Sequence, residues 1–551
     1  MVILETTFKE LNKSVGKKLA KQELDEILFN LGFELETVEN DNIKVEITPD
    51  RPDLLSTQGL ARLLKAYLGI KPGLQEYKIK KSNFKIIVDK SVEKIRPYTV
   101  AAIIKNLNLD YEKIKEIINI QEKLHNTFAR KRKKTSIGIY PLENIVFPIK
   151  YLAKSPDEIK FQPLEYSEEL TGREILTKHP TGIKYSELLK NYDKYPIFID
   201  SRNKILSMPP IINSVELGKV NEKTKDVFIE CSGNDLNASE QVLNLIVTTL
   251  TDMGGEIQSV EITYNTKKII TPNLNPEKRE IKLNDVNKIL GLKLNSKEVA
   301  NLLKKMNYGI TKISKDALSI LVPKYRVDVW HDIDIIDDIA RSYGFNKMIP
   351  TLPNVPSIAE TLPEHDFQDN LREILVGLGF IESFTLSLTN KDDQFKKMNI
   401  KEFPYMKLGN VKETSINMVR VWILPEIIKL LVNNRNKEHP QKIFEINDVV
   451  IPDEKEDIKC KNITKLSCVI AHEKTNFTEI KQVIDYLAKV LNANLILKEL
   501  KHDSFIEGRC AKIFFNDKEI GFLGEINPKV LENFELEVPV SAFEINIEKL
   551  Y

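Results

Sequence analysis

A chain of 551 residues is too long for one hydrophobic core, so several domains are expected. Apolar residues make up 42 % and charged residues 29 %, with 81 basic side chains against 80 acidic and a formal net charge of +1. That balance excludes a protein gripping nucleic acid over most of its surface, and confines any RNA contact to local patches or to surfaces shared with a partner.

Residues 1–75 read as a small α+β unit. Leu24, Ile27, Leu28 and Leu31 form one helical stripe closed by Gly32, and Ile43, Val45 and Ile47 alternate as a strand. The turn Thr48-Pro49-Asp50-Arg51-Pro52-Asp53-Leu54-Leu55-Ser56 then leads into a helix with Leu60, Leu63, Leu64 and Leu68 inside. On its residues alone the turn is a rigid connection without assigned chemistry.

Residues 83–265 form a larger mixed domain. Ile114, Ile117, Ile118, Leu124 and Phe128 mark a helix, followed by the basic run Arg130-Lys131-Arg132-Lys133-Lys134. Such a run is either a solvated face or a contact to a phosphate backbone that releases counterions. A Pro-Pro turn, Leu206 to Ser214, joins two extended pieces. In Val227–Gly233, Val227, Ile229 and Cys231 face one way while Phe228, Glu230 and Ser232 face the other. Glu230 thus shares a face with an aromatic ring, as in a ligand pocket. The alternative is a carboxylate on the open face of an edge strand. His179 is a further candidate for this neighbourhood. A helix from Ala238 to Met253 ends at Gly254-Gly255, and the Asn-Pro-rich piece Thr271 to Pro276 reads as a linker.

Residues 271–348 then make a compact domain in which Ser296 caps a helix and Leu318, Ile320 and Val322 alternate as a strand. Within it, Tyr325 to Phe345 holds five aspartates in eleven residues. Ile333, Ile336, Ile339 and Ala340 recur at helical spacing, which predicts a helix over 332–343 ended by Gly344. Asp334, Asp337 and Asp338 stand at i, i+3 and i+4, on one face, and Asp328 on the extended approach can fold back towards them. These acids either offset the helix dipole or hold a hard cation such as magnesium, since like charges so close repel unless a cation sits among them. Spacing alone does not choose.

A second linker, Pro350 to Pro363, precedes the last domain, residues 364–551. Phe367, Leu371, Ile374, Leu375 and Leu378 form a long helix, and Ile480, Val483, Ile484, Leu487 and Leu491 another. Strands Ala511–Phe515 and Ile520–Ile526 flank a turn. The four cysteines show no zinc-like spacing, which fits reduced thiols in a cytoplasmic protein, and no apolar run approaches membrane-spanning length. No Walker loop, dinucleotide fingerprint or nucleophile elbow occurs.

The pattern Tyr-Arg-x-Asp-x-x-x-x-x-Asp-x-x-acid-acid-x-Ala-Arg-x-Tyr-Gly at 325–344 resembles the signature of phenylalanine–tRNA ligase β subunits, and the turn 48–56 resembles a phrase near the start of the same family. The family carries glutamates at the last two acid positions, where this chain has aspartates. The resemblance fits the archaeal and eukaryotic cytosolic type and implies a multidomain α+β fold. It implies a mixed editing domain, a small helix-turn-helix-like domain, and a class II synthetase-like antiparallel-sheet module. That module lacks catalytic motifs, because its end, Val538 to Ile547, has neither the glycine cluster nor the phosphate-gripping arginine. It further implies Asp328, Asp334, Asp337 and Asp338 as magnesium ligands, and an α subunit partner in an α2β2 tetramer that charges phenylalanine tRNA using ATP. Hydrolytic editing of Tyr-tRNA would then use a pocket of Glu230, Ser207 and Asn213. Two rival readings are a magnesium-dependent phosphodiesterase on the aspartate cluster and a stand-alone nucleic-acid-binding protein built on residues 277–348.

Overall fold

The computed structural model describes residues 2–355, 357–411 and 415–550. Met1 and Tyr551, the ends of the first and last expected domains, and Pro356 of the expected proline-rich linker lie outside the described residues. The chain divides into two compact units between Leu352 and Pro353, and the three expected domains before that point share one continuous apolar core. The whole is a mixed α+β architecture of several sheets with helices laid against them.

The first unit begins with a three-stranded antiparallel sheet in which Asn42–Ile47 lies between Val2–Thr7 and Glu34–Glu39. Ile43, Val45 and Ile47 turn inward, as their alternation requires. Helix Lys21–Leu31 buries Leu24, Ile27, Leu28 and Leu31 and ends at Gly32, whose φ of 82° only a residue without a Cβ adopts freely. Ser56 caps helix Thr57–Tyr67 by accepting from the amide of Gly59.

A long mixed sheet follows. Its path runs Ile212–Asn213, Ile205–Met208, Tyr195–Ile199, Ile149–Lys154, Lys85–Val88, Glu256–Thr263, Tyr98–Lys105, Val227–Gly233 and Thr135–Pro141. Helix Leu236–Asp252 packs on its later strands, and its burial on nearly all sides explains the scarcity of charge in its sequence. Val227–Gly233 is no edge strand: it pairs antiparallel with Tyr98–Lys105 on one side and Thr135–Pro141 on the other, and all seven of its residues are buried. The open-face alternative for Glu230 is thereby excluded.

Residues 277–345 place Ala317–Val322 between Glu277–Lys282 and Gly309–Ile313, with helices Leu283–Leu290, Ser296–Lys305 and Asp332–Tyr343 against them. The cap of the second helix is Asn295 rather than Ser296. Its side chain accepts from the amides of Lys297 and Glu298, and Glu298 answers to the Asn295 amide in a capping box. The predicted bounds of helix Asp332–Tyr343 agree with the structure, as does Gly344 at φ 96°.

In the second unit a seven-stranded sheet runs Ile381–Glu382, Gln441–Pro452, Cys460–Ala471, Val540–Asn546, Lys518–Ile526, Phe505–Phe515 and Leu495–Glu499, antiparallel except at its first pair. Helices Pro363–Gly377 and Phe477–Val490 fill one face with Leu371, Leu375, Ile480 and Ile484. Helices Leu424–Asn433 and Pro528–Phe534 fill the other with Leu424, Ile427, Val530 and Phe534. The four cysteines are free thiols, and among the described residues no helix is long and apolar enough to cross a membrane.

Candidate functional site

The two ends of the long sheet meet. From its first strands Ser207 stands opposite Asn213 in the hairpin closed by Pro209-Pro210. From its last strand the Tyr140 hydroxyl lies 2.7 Å from Ser207 Oγ, and Asn213 Nδ2 donates to the Ile139 carbonyl at 3.5 Å. A cavity of about 650 Å³ lies at this seam, lined by Ile137, Ile139, Ile211 and Ile212 together with Ser207, Asn213, Glu230, His125 and Arg132. That size suits a small organic ligand, and the mix of apolar walls with a few polar groups suits orienting one. The three expected pocket residues are therefore brought together.

Glu230 is 2 % exposed and faces Gly138 across the sheet. Its Oε1 lies 3.2 Å from the Tyr140 hydroxyl, while Oε2 is buried without any hydrogen-bond partner in the protein. Burial pushes its pKa up to about 8, against the opposing effects of the Tyr140 hydrogen bond and the Arg96 charge. Below that pH the carboxyl is held in its neutral form. Gly138 and Tyr140 escaped the sequence reading, although a glycine inside an Ile-Gly-Ile strand is a signal of close approach. A Cβ at Gly138 would stand 2.3 Å from Tyr140 Oη and 2.5 Å from Glu230 Oε1.

The basic run turns tightly, with Arg130, Lys131 and Arg132 all at positive φ. It does not present five cations to solvent. Arg132 folds inward, its Nη1 donating to the carbonyls of Pro210 at 3.0 Å and Ile211 at 2.9 Å and its Nη2 to Glu122 Oε1 at 2.8 Å. It thereby holds the Pro-Pro turn of the pocket. Lys134 lies 3.8 Å from Asp235, which leaves Arg130, Lys131 and Lys133 as the exposed members.

His125 is fully engaged. Its Nε2 accepts from the Ile137 amide at 2.9 Å, which places its proton on Nδ1, 3.1 Å from Glu122 Oε1. Burial pushes the imidazole down to about 4, and the bonds from His125 and Arg132 hold Glu122 at about 2. His179 does not line the cavity: its Nδ1 accepts from the Thr181 amide and its Nε2 meets the Leu164 carbonyl at 2.9 Å.

The acidic segment is arranged differently from the expectation of four converging carboxylates. Asp338 is buried and receives both Arg326 Nη2 at 2.7 Å and the Tyr308 hydroxyl at 2.6 Å. Asp328 takes the same guanidinium in two bonds, of 2.8 and 2.6 Å, and although burial pushes its pKa up, the charge and hydrogen bonds of Arg326 together with the charge of Arg51 bring it down to about 2. Asp334 turns back to accept from the amides of Trp330 and His331, capping its own helix. Asp337 points outward to Arg341 at 2.7 Å, and Arg341 in turn donates to the Leu31 carbonyl at the end of helix Lys21–Leu31. Each carboxylate is answered inside the chain. Among the described residues no group of three or more His, Cys, Asp or Glu side chains is gathered as a metal site. The four aspartates as arranged do not fit a magnesium ion, and the phosphodiesterase reading loses the convergence it needs.

In the second unit the strand Val540–Asn546, which has no arginine, carries a buried carboxylate. Glu544 is buried, accepts from the amides of Ile423 and Leu424 at the start of helix Leu424–Asn433, and pairs with Lys465 at 2.8 Å. Nearby, Arg420 and Glu445 form an ion pair of 2.8 Å with both side chains wholly buried.

Family models match three stretches: the phenylalanyl-tRNA synthetase β subunit B1 domain over residues 1–70, the tRNA synthetase B5 domain over 279–345, and the phenylalanyl-tRNA synthetase β chain CLM domain over 349–547. Together with the fold they define the class, a subunit of an aminoacyl-tRNA ligase. The chain is 39 % identical to the phenylalanine–tRNA ligase β subunit of Pyrococcus abyssi and 40 % identical to that of Methanococcus aeolicus, over 98 % of each chain. A solved N-terminal fragment of the phenylalanyl-tRNA synthetase β subunit from Pyrococcus horikoshii superimposes with a TM-score of 0.60 at 39 % identity, covering 62 % of this chain and 99 % of the fragment. The chain belongs to the family of phenylalanine–tRNA ligase β subunits.

Proposed function

We propose that this chain, assembled with its α subunit as α2β2, serves a ligase that joins phenylalanine to its tRNA using ATP, and that its own chemistry is hydrolytic editing of tRNA mischarged with tyrosine. The observation that carries this reading is that Glu230, which lines a cavity of about 650 Å³, has a buried Oε2 without a hydrogen-bond partner. Phenylalanine and tyrosine differ by one hydroxyl, and an apolar synthetic pocket rejects such an addition by only about a hundredfold, so a second sieve is useful. A phenol O–H donates to a carboxyl oxygen whether that carboxyl is neutral or ionised. Phenylalanine has no such donor and leaves the oxygen bare, at a cost of roughly 1–3 kcal/mol. Ser207 and Asn213 hold the opposite wall.

Of the lining residues, His125 has both nitrogens engaged and Glu122 has its Oε1 held by His125 and Arg132, so neither serves as the general base. The ester is therefore hydrolysed by water positioned with the help of the tRNA's own hydroxyls. Arg130, Lys131 and Lys133, next in sequence to the pocket residue Arg132, contact the tRNA backbone. Synthetic chemistry falls to the α subunit: phosphoryl groups require cations, and Val540–Asn546 supplies the buried acid Glu544. Magnesium belongs to this reading only in the assembled ligase, with ligands added from another chain, and no step here depends on it. The ligase complex carrying Glu230→Ala is the test: deacylation of Tyr-tRNA falls while Phe-tRNA synthesis persists, and unchanged deacylation removes Glu230 from the site.

A further inference from the structure

Resting on that reading of the cavity, we infer that Tyr140 is a specificity-determining positioning residue, whose phenol pins Glu230 by Oε1 so that Oε2 alone meets the substrate's hydroxyl. The Tyr140 ring is wholly buried and fixed on its flank by Phe228, with ring centres 5.6 Å apart, and Phe228 is fixed in turn by Phe147 at 5.7 Å. Its hydroxyl sits between Ser207 Oγ at 2.7 Å and Glu230 Oε1 at 3.2 Å. A phenol has one proton, so with Glu230 ionised the arrangement that satisfies all three groups is a chain in which Ser207 donates to Tyr140 and Tyr140 donates to Glu230. The two oxygens of the carboxyl are then unequal. One is taken by a resident phenol, and the other is buried and bare.

Gly138 is the residue that permits this pairing. It stands opposite Glu230 in register, and any side chain there would collide with both Tyr140 Oη and Glu230 Oε1. The sheet thus gives up a side chain at this point to let a phenol reach a carboxyl. The result is a recognition group with a single open oxygen in a fixed direction, an acceptor when the carboxyl is ionised and a donor when it is protonated, which selects one hydroxyl at one position of the substrate's side chain. Without the Tyr140 hydroxyl, Glu230 has two bare oxygens and can rotate between them, and it no longer favours one donor direction.

The test uses the ligase complex with Tyr140→Phe, assayed on phenylalanine tRNA carrying tyrosine and on the same tRNA carrying phenylalanine. The expected result is a fall of about tenfold in kcat/KM for Tyr-tRNA deacylation, the scale of one hydrogen bond to a buried acid, expressed more in KM than in kcat. The slow deacylation of Phe-tRNA stays unchanged, so the ratio of the two falls; a purely structural role would lower both together. A folded Tyr140→Phe complex with the parental ratio overturns the inference. Where Glu230→Ala abolishes the preference and Tyr140→Phe keeps it, only the role of Tyr140 falls; where neither changes it, the pocket reading itself falls. Should Tyr140→Phe fail to fold, Ser207→Ala keeps the ring and removes its other hydroxyl partner: a lowered ratio supports the chain of hydroxyls, and an unchanged one overturns it.

Discussion

Arg51 Nε lies 4.0 Å from Asp328 Oδ2, joining the proline-rich turn near the start of the chain to the acidic segment near the end of the first unit. Arg51 is itself held by both oxygens of Asp53 at 2.9 Å, and Asp328 by Arg326, so a buried ladder of alternating charge runs Asp53, Arg51, Asp328, Arg326, Asp338. The turn that carried no assignable chemistry on sequence grounds is one side of this ladder. Its role is to fasten residues 48–56 to the segment 325–338.

Removing Arg326 from that ladder takes the guanidinium from two buried carboxylates at once, leaving Asp338 without a cation and Asp328 with only the more distant Arg51. Arg326→Met is expected to destabilise the first unit by about 3–5 kcal/mol, measured by urea unfolding, and Arg326→Lys to restore only part because one ammonium cannot serve Asp328 and Asp338 in the same fork geometry. The same experiment separates the acids. Asp338→Asn is strongly destabilising, whereas outward-facing Asp337→Asn changes stability by about 0.5 kcal/mol or less. Chelator leaves the melting of the free chain unchanged. A large loss at Asp337 together with a chelator effect would show that an ion, and not Arg341, is its partner.

Glu230 makes stability depend on pH with a definite sign. Its carboxyl titrates at about 8 in the folded chain against an ordinary 4.5, so between those values the folded state binds more protons than the unfolded one. Stability from this group therefore falls as pH rises from 4.5 to 8 and is level outside that window. Glu230→Gln abolishes the dependence. The variant is expected to gain on the parent steadily from pH 5 to pH 8, by a few kcal/mol in all, in urea unfolding at each pH. Parallel profiles would place the carboxyl in a wetter setting than the cavity wall.

The basic turn gives a prediction narrower than its composition suggests. Changing Arg130, Lys131 and Lys133 to serine is expected to weaken tRNA binding and to flatten its dependence on salt by about 2–3 in the log–log slope, the count of exposed cations removed. Arg132→Ala is expected to leave that slope alone, since its guanidinium is committed to the carbonyls of Pro210 and Ile211. Equal changes in slope from both variants would put Arg132 on the RNA.

Local periodicity read well wherever one face of an element is dry and the other wet. Helix Asp332–Tyr343 and strand Asn42–Ile47 are such cases, each carrying its apolar residues at the spacing of its own geometry. Periodicity misled where both faces are dry. In Val227–Gly233 the face of Phe228, Glu230 and Ser232 stayed open between a pocket wall and an exposed edge, because alternation cannot distinguish solvent from a second buried layer. It also misled on the aspartates, since i, i+3 and i+4 share a face only loosely: Asp338 points to the core and Asp337 away from it. The cavity's three expected residues came from family resemblance, and the groups that organise them, Tyr140, Gly138 and Arg132, act through contacts distant in sequence. Arg132 was legible as charge but not as direction, which the three positive-φ residues of its turn decide.

The two walls of the cavity differ in how freely they can change. Glu230 sits on a strand bonded along both edges, so its carbon frame is a fixed jaw, while Ser207 and Asn213 ride a short hairpin steadied by one arginine. Redesign of this sieve towards other aromatic amino acids should leave the strand untouched and remould the hairpin, where a changed residue bends a turn without unzipping the sheet.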